Sequence, residues 1–161
     1  MTDARRALLI GVIAIGVAAA SFLTRSPRGA RADRPRDRTV VSVPGTSLGL
    51  PFSPGIRTGN LVFVSGQIGN VPGTRDLVPG GIAAETRQAM ENIGAVLREA
   101  GSDWSRVVKC TVFLADIADY AAMNEVYASY FTADRPARST LAASGLALGA
   151  RVEIECIALA G

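Results

Sequence analysis

The amino-acid sequence predicts an α+β domain built on a mixed sheet, and three observations carry that expectation. Apolar, β-branched runs recur at residues 60–66, 107–114 and 151–158, with Gly, Asp or Ser within three residues of each end. Two stretches between them repeat their apolar residues at helical spacing instead. The resulting order is ββαβαββ. Helices that cross between strands make some strand pairs parallel and lay both helices on one face of the sheet.

Each element has its own justification. Residues 39–43 form a short β-type run, and residues 44–59, rich in Pro and Gly, read as a loop. N-L-V-F-V-S-G at 60–66 reads as a strand that ends in Ser65-Gly66-Gln67. A Gly- and Pro-containing loop at 70–81 leads into a helix over 82–100. Its stripe is Ile82, Ala89, Ile93, Val96, Leu97 and Ala100, with Gly101 suited to the C-terminal cap. V-V-K-C-T-V-F-L at 107–114 is the strongest strand. Asp116 and Asp119 are candidate N-caps for a second helix, whose stripe is Met123, Val126, Tyr127, Tyr130 and Phe131. Two β-type runs, 139–143 and 151–158, joined through a Gly-containing turn, close the domain.

Charge separates the chain into parts. Residues 1–38 hold eight Arg and three Asp, net +5, whereas residues 39–161 hold nine Lys or Arg and eleven Asp or Glu, net −2. The basic balance therefore belongs to the leader and gives no support for nucleic-acid binding by the folded part. Residues 7–23 are an uncharged apolar run that follows Arg5-Arg6 and precedes six Arg between 25 and 38. That pattern is expected to be a hydrophobic helix over residues 1–24, read first as a membrane anchor with a single N-terminal span. The alternative is an export signal cut after Ala30-Arg31-Ala32, which would place the domain in the periplasm. Residues 25–38 read as an Arg- and Pro-rich tether, and residues 39–161 as the folded domain.

The chain has no His, which removes Ser-His and Cys-His nucleophile pairs, His-ligated metals and a His base. Cys110 and Cys156 lie in apolar runs, form no C-x-x-C pair, and are expected first as buried free thiols, with a disulfide left open as the alternative. The chemistry left is acid–base work by carboxylates and anion binding by arginine. Glu153 and Glu155, two residues apart on a strand, share one face, and Arg138 opens the strand before them. A guanidinium and a carboxylate at neighbouring strand ends would hold a small carboxylate substrate beside a water. On pattern alone the two glutamates suit the solvent face of an edge strand equally well.

Several blocks in order decide between these readings. P-F-S-P-G-I-R-T-G-N-L-V-F-V-S-G-Q at 51–67, K-C-T-V-F-L-A-D at 109–116, N-E-V-Y-A-S-Y-F at 124–131, R-P-A-R-S-T at 135–140 and V-E-I-E-C-I-A at 152–158 together resemble the RidA/YjgF family of reactive-intermediate deaminases. The resemblance spans residues 40–161 and leaves out the leader. It implies a chorismate-mutase-like α+β fold and homotrimers with a site between subunits. It also implies hydrolysis of 2-imino or 2-enamino acids, such as 2-iminopropanoate and 2-iminobutanoate, to 2-keto acids and ammonia, with neither metal nor organic cofactor.

Carried over by motif, the resemblance puts substrate-carboxylate binding on Arg138 and water activation on Glu153. It puts the substrate pocket at Phe52, Ser65, Gly66, Asn124 and Thr140. Two positions depart from the family pattern. Phe52 stands where Tyr is common, which removes a hydroxyl and suits more apolar substrates. Thr140 stands where some members have Cys, so a thiol role does not transfer. Tyr127, Tyr130 and Phe131 are expected in the core, and Glu155 with a structural partner. The alternative function is a non-catalytic small-molecule-binding or stress-response trimer of the same fold.

Overall fold

The computed structural model describes residues 37–46 and 48–161. Its strands are β1 (Arg38–Val41), β2 (Gly55–Thr58), β3 (Leu61–Ile68), β4 (Val107–Leu114), β5 (Ala137–Ala142) and β6 (Val152–Leu159), with helices α1 (Gly81–Glu99) and α2 (Tyr120–Ala128). They form one mixed sheet in the order β1-β2-β3-β6-β4-β5. Only β4 and β5 pair in parallel among the strands of that sheet, because α2 carries the chain back between them. The α+β class and the two helices agree with the expectation.

Two details of the expected order are corrected. The loop expected at 44–59 contains β2, which pairs with β3 through the Thr58–Leu61 register. The two residues between, Gly59 and Asn60, make a tight hairpin, and Gly59 supplies the positive φ of 56° that such a turn requires. The strands β5 and β6 are sequence neighbours but not sheet neighbours. β4 lies between them, pairing with β5 on one side and β6 on the other.

The core lies between the sheet and α1. Val62, Val64, Val112, Ile154 and Ala158 point from the strands onto Met90, Ile93, Val96 and Leu97, all buried. Gly101 ends α1 at φ 72°, and Ser102 N–H donates to the Leu97 carbonyl at 2.8 Å. Trp104 packs against Tyr130 at 5.2 Å and edge-on to Phe131 at 5.5 Å between ring centres, which fastens the end of α2. Cys110 and Cys156 are register partners on β4 and β6 with Cα atoms 4.2 Å apart, and they are joined as a disulfide. The free thiols expected from sequence are corrected accordingly. Antiparallel partners project side by side onto one face, a relation that residues 46 apart in the chain do not disclose.

The opposite face of the sheet carries no helix among the described residues. Val40, Phe63 and Leu141 stand on it, 47%, 40% and 46% exposed. No described helix is long and apolar enough to cross a membrane. The longer, α1, carries Glu85, Arg87, Glu91, Arg98 and Glu99. The membrane-anchored or exported placement is therefore withdrawn, and residues 7–23, which suggested it, lie outside the described residues.

Close contact between α1 and the sheet is set at one glycine. A Cβ at Gly69 would lie 2.5 Å from the Glu85 Cα and 2.8 Å from its carbonyl oxygen, both backbone atoms. Gly69→Ala is expected to destabilise the domain by about 1–3 kcal/mol, from overpacking. The urea midpoint of unfolding would fall with an unchanged slope.

Candidate functional site

Glu153 follows from strand alternation. Val152 and Ile154 are buried in the core, so Glu153 projects from the other face, half-buried, with Ile68 of β3 and Phe113 of β4 as its register partners. The β3–β6 register slips between Val64 and Gln67, so that Ser65 and Gly66 together face Glu155. This bulge brings Gly66 beneath the Glu153 side chain. A Cβ at position 66 would overlap the Glu153 carboxylate, so the glycine of S-G-Q makes room for an acid.

Ser65 is a fastener. Its hydroxyl donates to the Ser53 carbonyl at 2.7 Å and its N–H to the Pro54 carbonyl at 3.0 Å. These bonds hold the segment that carries Phe52, 54% exposed, against β3. Phe52, Leu50, Gly66, Ile68 and Glu153 line a largely apolar cleft of about 770 Å³ that reaches α1. Burial pushes the Glu153 carboxyl above the usual range, and the neighbouring charge of Glu155 adds to the shift. Glu155, expected to have a partner in a strand or in an interface, makes no salt bridge or side-chain hydrogen bond within the described residues of one chain.

Arg138 occupies a different place. It lies on β5 in register with Cys110, on the helix-covered side of the sheet. There Tyr120, Asn124 and Tyr127, spaced i, i+4 and i+7, form one face of α2. The Arg138 guanidinium donates to the Tyr120 hydroxyl at 2.9 Å and lies 4.6 Å from the centre of the Tyr127 ring. It has no carboxylate partner among the described residues. Thr140, two residues along the same strand face, has a buried hydroxyl with no hydrogen-bond partner.

The residues expected at the site thus fall into two groups. Phe52, Ser65, Gly66 and Glu153 are together at the β3–β6 bulge; Arg138 and Thr140 share one face of β5, and Asn124 lies on the face of α2 whose Tyr120 and Tyr127 touch Arg138. One chain does not bring the groups together, because β4 separates their strands and the two charged side chains leave opposite faces. The neighbouring strand ends expected for Arg138 and Glu153 are corrected on that ground.

Sequence reasoning also missed three contributors. Tyr120 was not singled out, although its place four residues before Asn124 is the signal that could have found it. Tyr127 is in the core as expected, yet it also supports Arg138. Glu85 is a buried carboxylate that accepts the Arg151 N–H at 2.8 Å and so sets the start of β6. The Arg151 side chain grips Asp119 through bonds of 3.0 and 2.8 Å, and Asp116 rather than Asp119 caps the turn before α2.

The model of the family described as endoribonuclease L-PSP matches residues 47–160. The chain belongs to this family, the RidA/YjgF proteins. It is 47% identical over 108 residues to Reactive Intermediate Deaminase A, chloroplastic, of Arabidopsis thaliana, covering 67% of this chain and 58% of that protein. It is 46% identical over 111 residues to 2-iminobutanoate/2-iminopropanoate deaminase of Capra hircus, covering 69% of this chain and 81% of that one. The crystal structure of E. coli TdcF with bound serine superposes with a TM-score of 0.70 at 32% identity, over 76% of this chain and 99% of that one. The RidA/YjgF match includes both residue groups.

Gly66→Ala tests the first group directly. The added methyl is expected to displace the Glu153 side chain toward solvent without unfolding the domain, since the atoms it meets belong to a side chain that can turn away. The Glu153 carboxyl should then titrate at lower pH than in wild type, which ¹³C NMR of the labelled side chain would read.

Proposed function

We propose that the protein hydrolyses short 2-imino and 2-enamino acids to 2-keto acids and ammonia, in sites that form between copies of the chain in a homotrimer. The observation that carries this reading is Arg138: a guanidinium held by two tyrosines and paired with no acid among the described residues. The uncovered sheet face with Val40, Phe63 and Leu141 supplies apolar surface for the assembly. The names of the curated relatives support the reaction, and the serine bound to TdcF supports a small ligand with an amino-acid carboxylate.

In this site Arg138 of one copy binds the substrate carboxylate through two parallel N–H···O bonds. That places the imine carbon near Glu153 of the adjoining copy. Glu153 takes a proton from a water as the water oxygen bonds to the imine carbon and returns that proton to the nitrogen, which gives a carbinolamine. The hydroxyl proton then passes by way of Glu153 to the nitrogen as the C–N bond breaks; ammonia departs and the carbonyl forms, with one water consumed. An enamine first gains a proton at its β-carbon and loses one from its nitrogen to become the imine. Asn124 and Thr140 flank the carboxylate, Ser65 and Gly66 shape the water side, and Phe52 favours an apolar substrate side chain. The reaction uses no metal or organic cofactor.

A non-catalytic binding module is the second reading, favoured by Phe52 where the family pattern has Tyr. RNA cleavage is not proposed, because residues 39–161 carry net −2 and Glu153 faces an apolar cleft.

The test follows ammonia release from freshly generated 2-iminobutanoate. Arg138→Ala is expected to lose roughly 10–100-fold in kcat/KM, and Glu153→Gln on the order of 10²–10⁴-fold. Equimolar reassembly of the two variants should recover activity, because about a quarter of the clefts then contain both native residues. Normal rates in both single variants would sink the mechanism, and no recovery on mixing would sink the shared site. Tight 2-oxobutanoate binding without turnover would favour the second reading.

The pH profile gives a separate check. Glu153 must be ionised to act, so kcat/KM is expected to fall as pH drops through its raised pKa. Removing the neighbouring charge with Glu155→Gln should move this acidic limb to lower pH.

A further inference from the structure

Tyr127 lies on α2 three residues after Asn124, only 6% exposed, with Phe131 at 4.9 Å between ring centres on one side. The Arg138 guanidinium lies over its ring at 4.6 Å. Its hydroxyl is buried and has no hydrogen-bond partner. A phenylalanine would fill this position without that penalty, since a buried hydroxyl that bonds to nothing costs stability. Thr140 carries a second unpaired buried hydroxyl, on the strand face that carries Arg138. These are the two buried side-chain polar atoms without partners among the described residues, and both belong to residues around one unpaired cation.

We propose that the Tyr127 hydroxyl donates a hydrogen bond to the carboxylate held by Arg138, which makes Tyr127 a further substrate-contacting residue. The inference rests on the imino-acid reading of the site. A carboxylate offers about four lone-pair positions, and a forked guanidinium fills only two of them. The hydroxyls of Tyr127 and Thr140 fill the others. Burial raises the Tyr127 pKa to about 12, against the smaller opposing effect of Arg138, so the phenol keeps its proton at neutral pH.

Tyr127→Phe separates a ligand role from a structural one. With 2-iminobutanoate it is expected to lose roughly tenfold in kcat/KM, with Tm unchanged or higher, because no internal bond is lost. Affinity for the product analogue 2-oxobutanoate should weaken by a similar factor, while butanone, which lacks the carboxylate, binds both proteins alike. In an Arg138→Ala background the Tyr127→Phe change should cost little more, since both act on one carboxylate. Unchanged kinetics in Tyr127→Phe, or a lowered Tm with activity lost in proportion, would assign the hydroxyl to a structural water and overturn the proposal. If wild type neither binds 2-oxobutanoate nor releases ammonia, the imino-acid reading fails and this inference with it. If wild type is active and only the Tyr127→Phe arm is silent, this inference alone fails.

Discussion

Side chains along a strand alternate between the faces of its sheet, and here the described helices cover one face only. Everything about the site follows from that constraint. Val152 and Ile154 must face α1 to build the core, so Glu153 is driven to the uncovered side. On β5 the core register runs through Cys110 and Val112, so Arg138 and Thr140 are driven toward α2. Twisting or bending the sheet does not exchange its faces. An acid and a cation on opposite faces can serve one small molecule only when a second copy presents the complementary half. The apolar residues left bare beside Glu153 give that copy a reason to dock.

Each half is arranged to keep its functional group available. At the β3–β6 bulge, Gly66 leaves a space in which the Glu153 carboxylate is partly desolvated next to Glu155. Both effects disfavour the ionised form, so the carboxylate is a stronger proton acceptor than an exposed glutamate. The same effects tie catalysis to stability. Because the folded-state pKa lies above the unfolded value, Glu153 stabilises the fold when protonated, and that contribution is lost as pH rises through the folded pKa. The group proposed to activate water is thus kept at some expense to the fold.

Periodicity made most of the architecture legible. The stripe from Ile82 to Ala100 and the β-branched runs of β4 and β6 leave few alternatives to amphipathic helix and half-buried strand. β2 was not legible because its four residues, G-I-R-T, sit inside a Pro- and Gly-rich stretch and take their strand character from pairing with β3. Strand order was not legible either: local pattern does not show that β6 inserts between β3 and β4. The cystine stayed hidden for the same reason. Arg138 and Glu153 stood out through the order of several motifs rather than through their own spacing, and that spacing suggested the wrong adjacency. Tyr127 satisfied the apolar stripe so well that its second role, beneath Arg138, left no mark in the pattern.

The choice of neighbours around Arg138 has its own physical logic. A partly buried guanidinium usually needs a counter-charge, and a nearby carboxylate would supply one at the cost of competing with any anionic ligand. Tyr120 and Tyr127 orient the group without neutralising it, one through an oxygen at its edge and the other through a ring face. In the proposed site the incoming carboxylate meets a cation already aligned and without a carboxylate partner among the described residues, so little reorganisation opposes binding. Aspartate in either position would hold the arginine more firmly and bind substrate less well. Two aromatic hydroxyl residues on one face of a nine-residue helix are therefore a solution to keeping a cation in place while leaving it free.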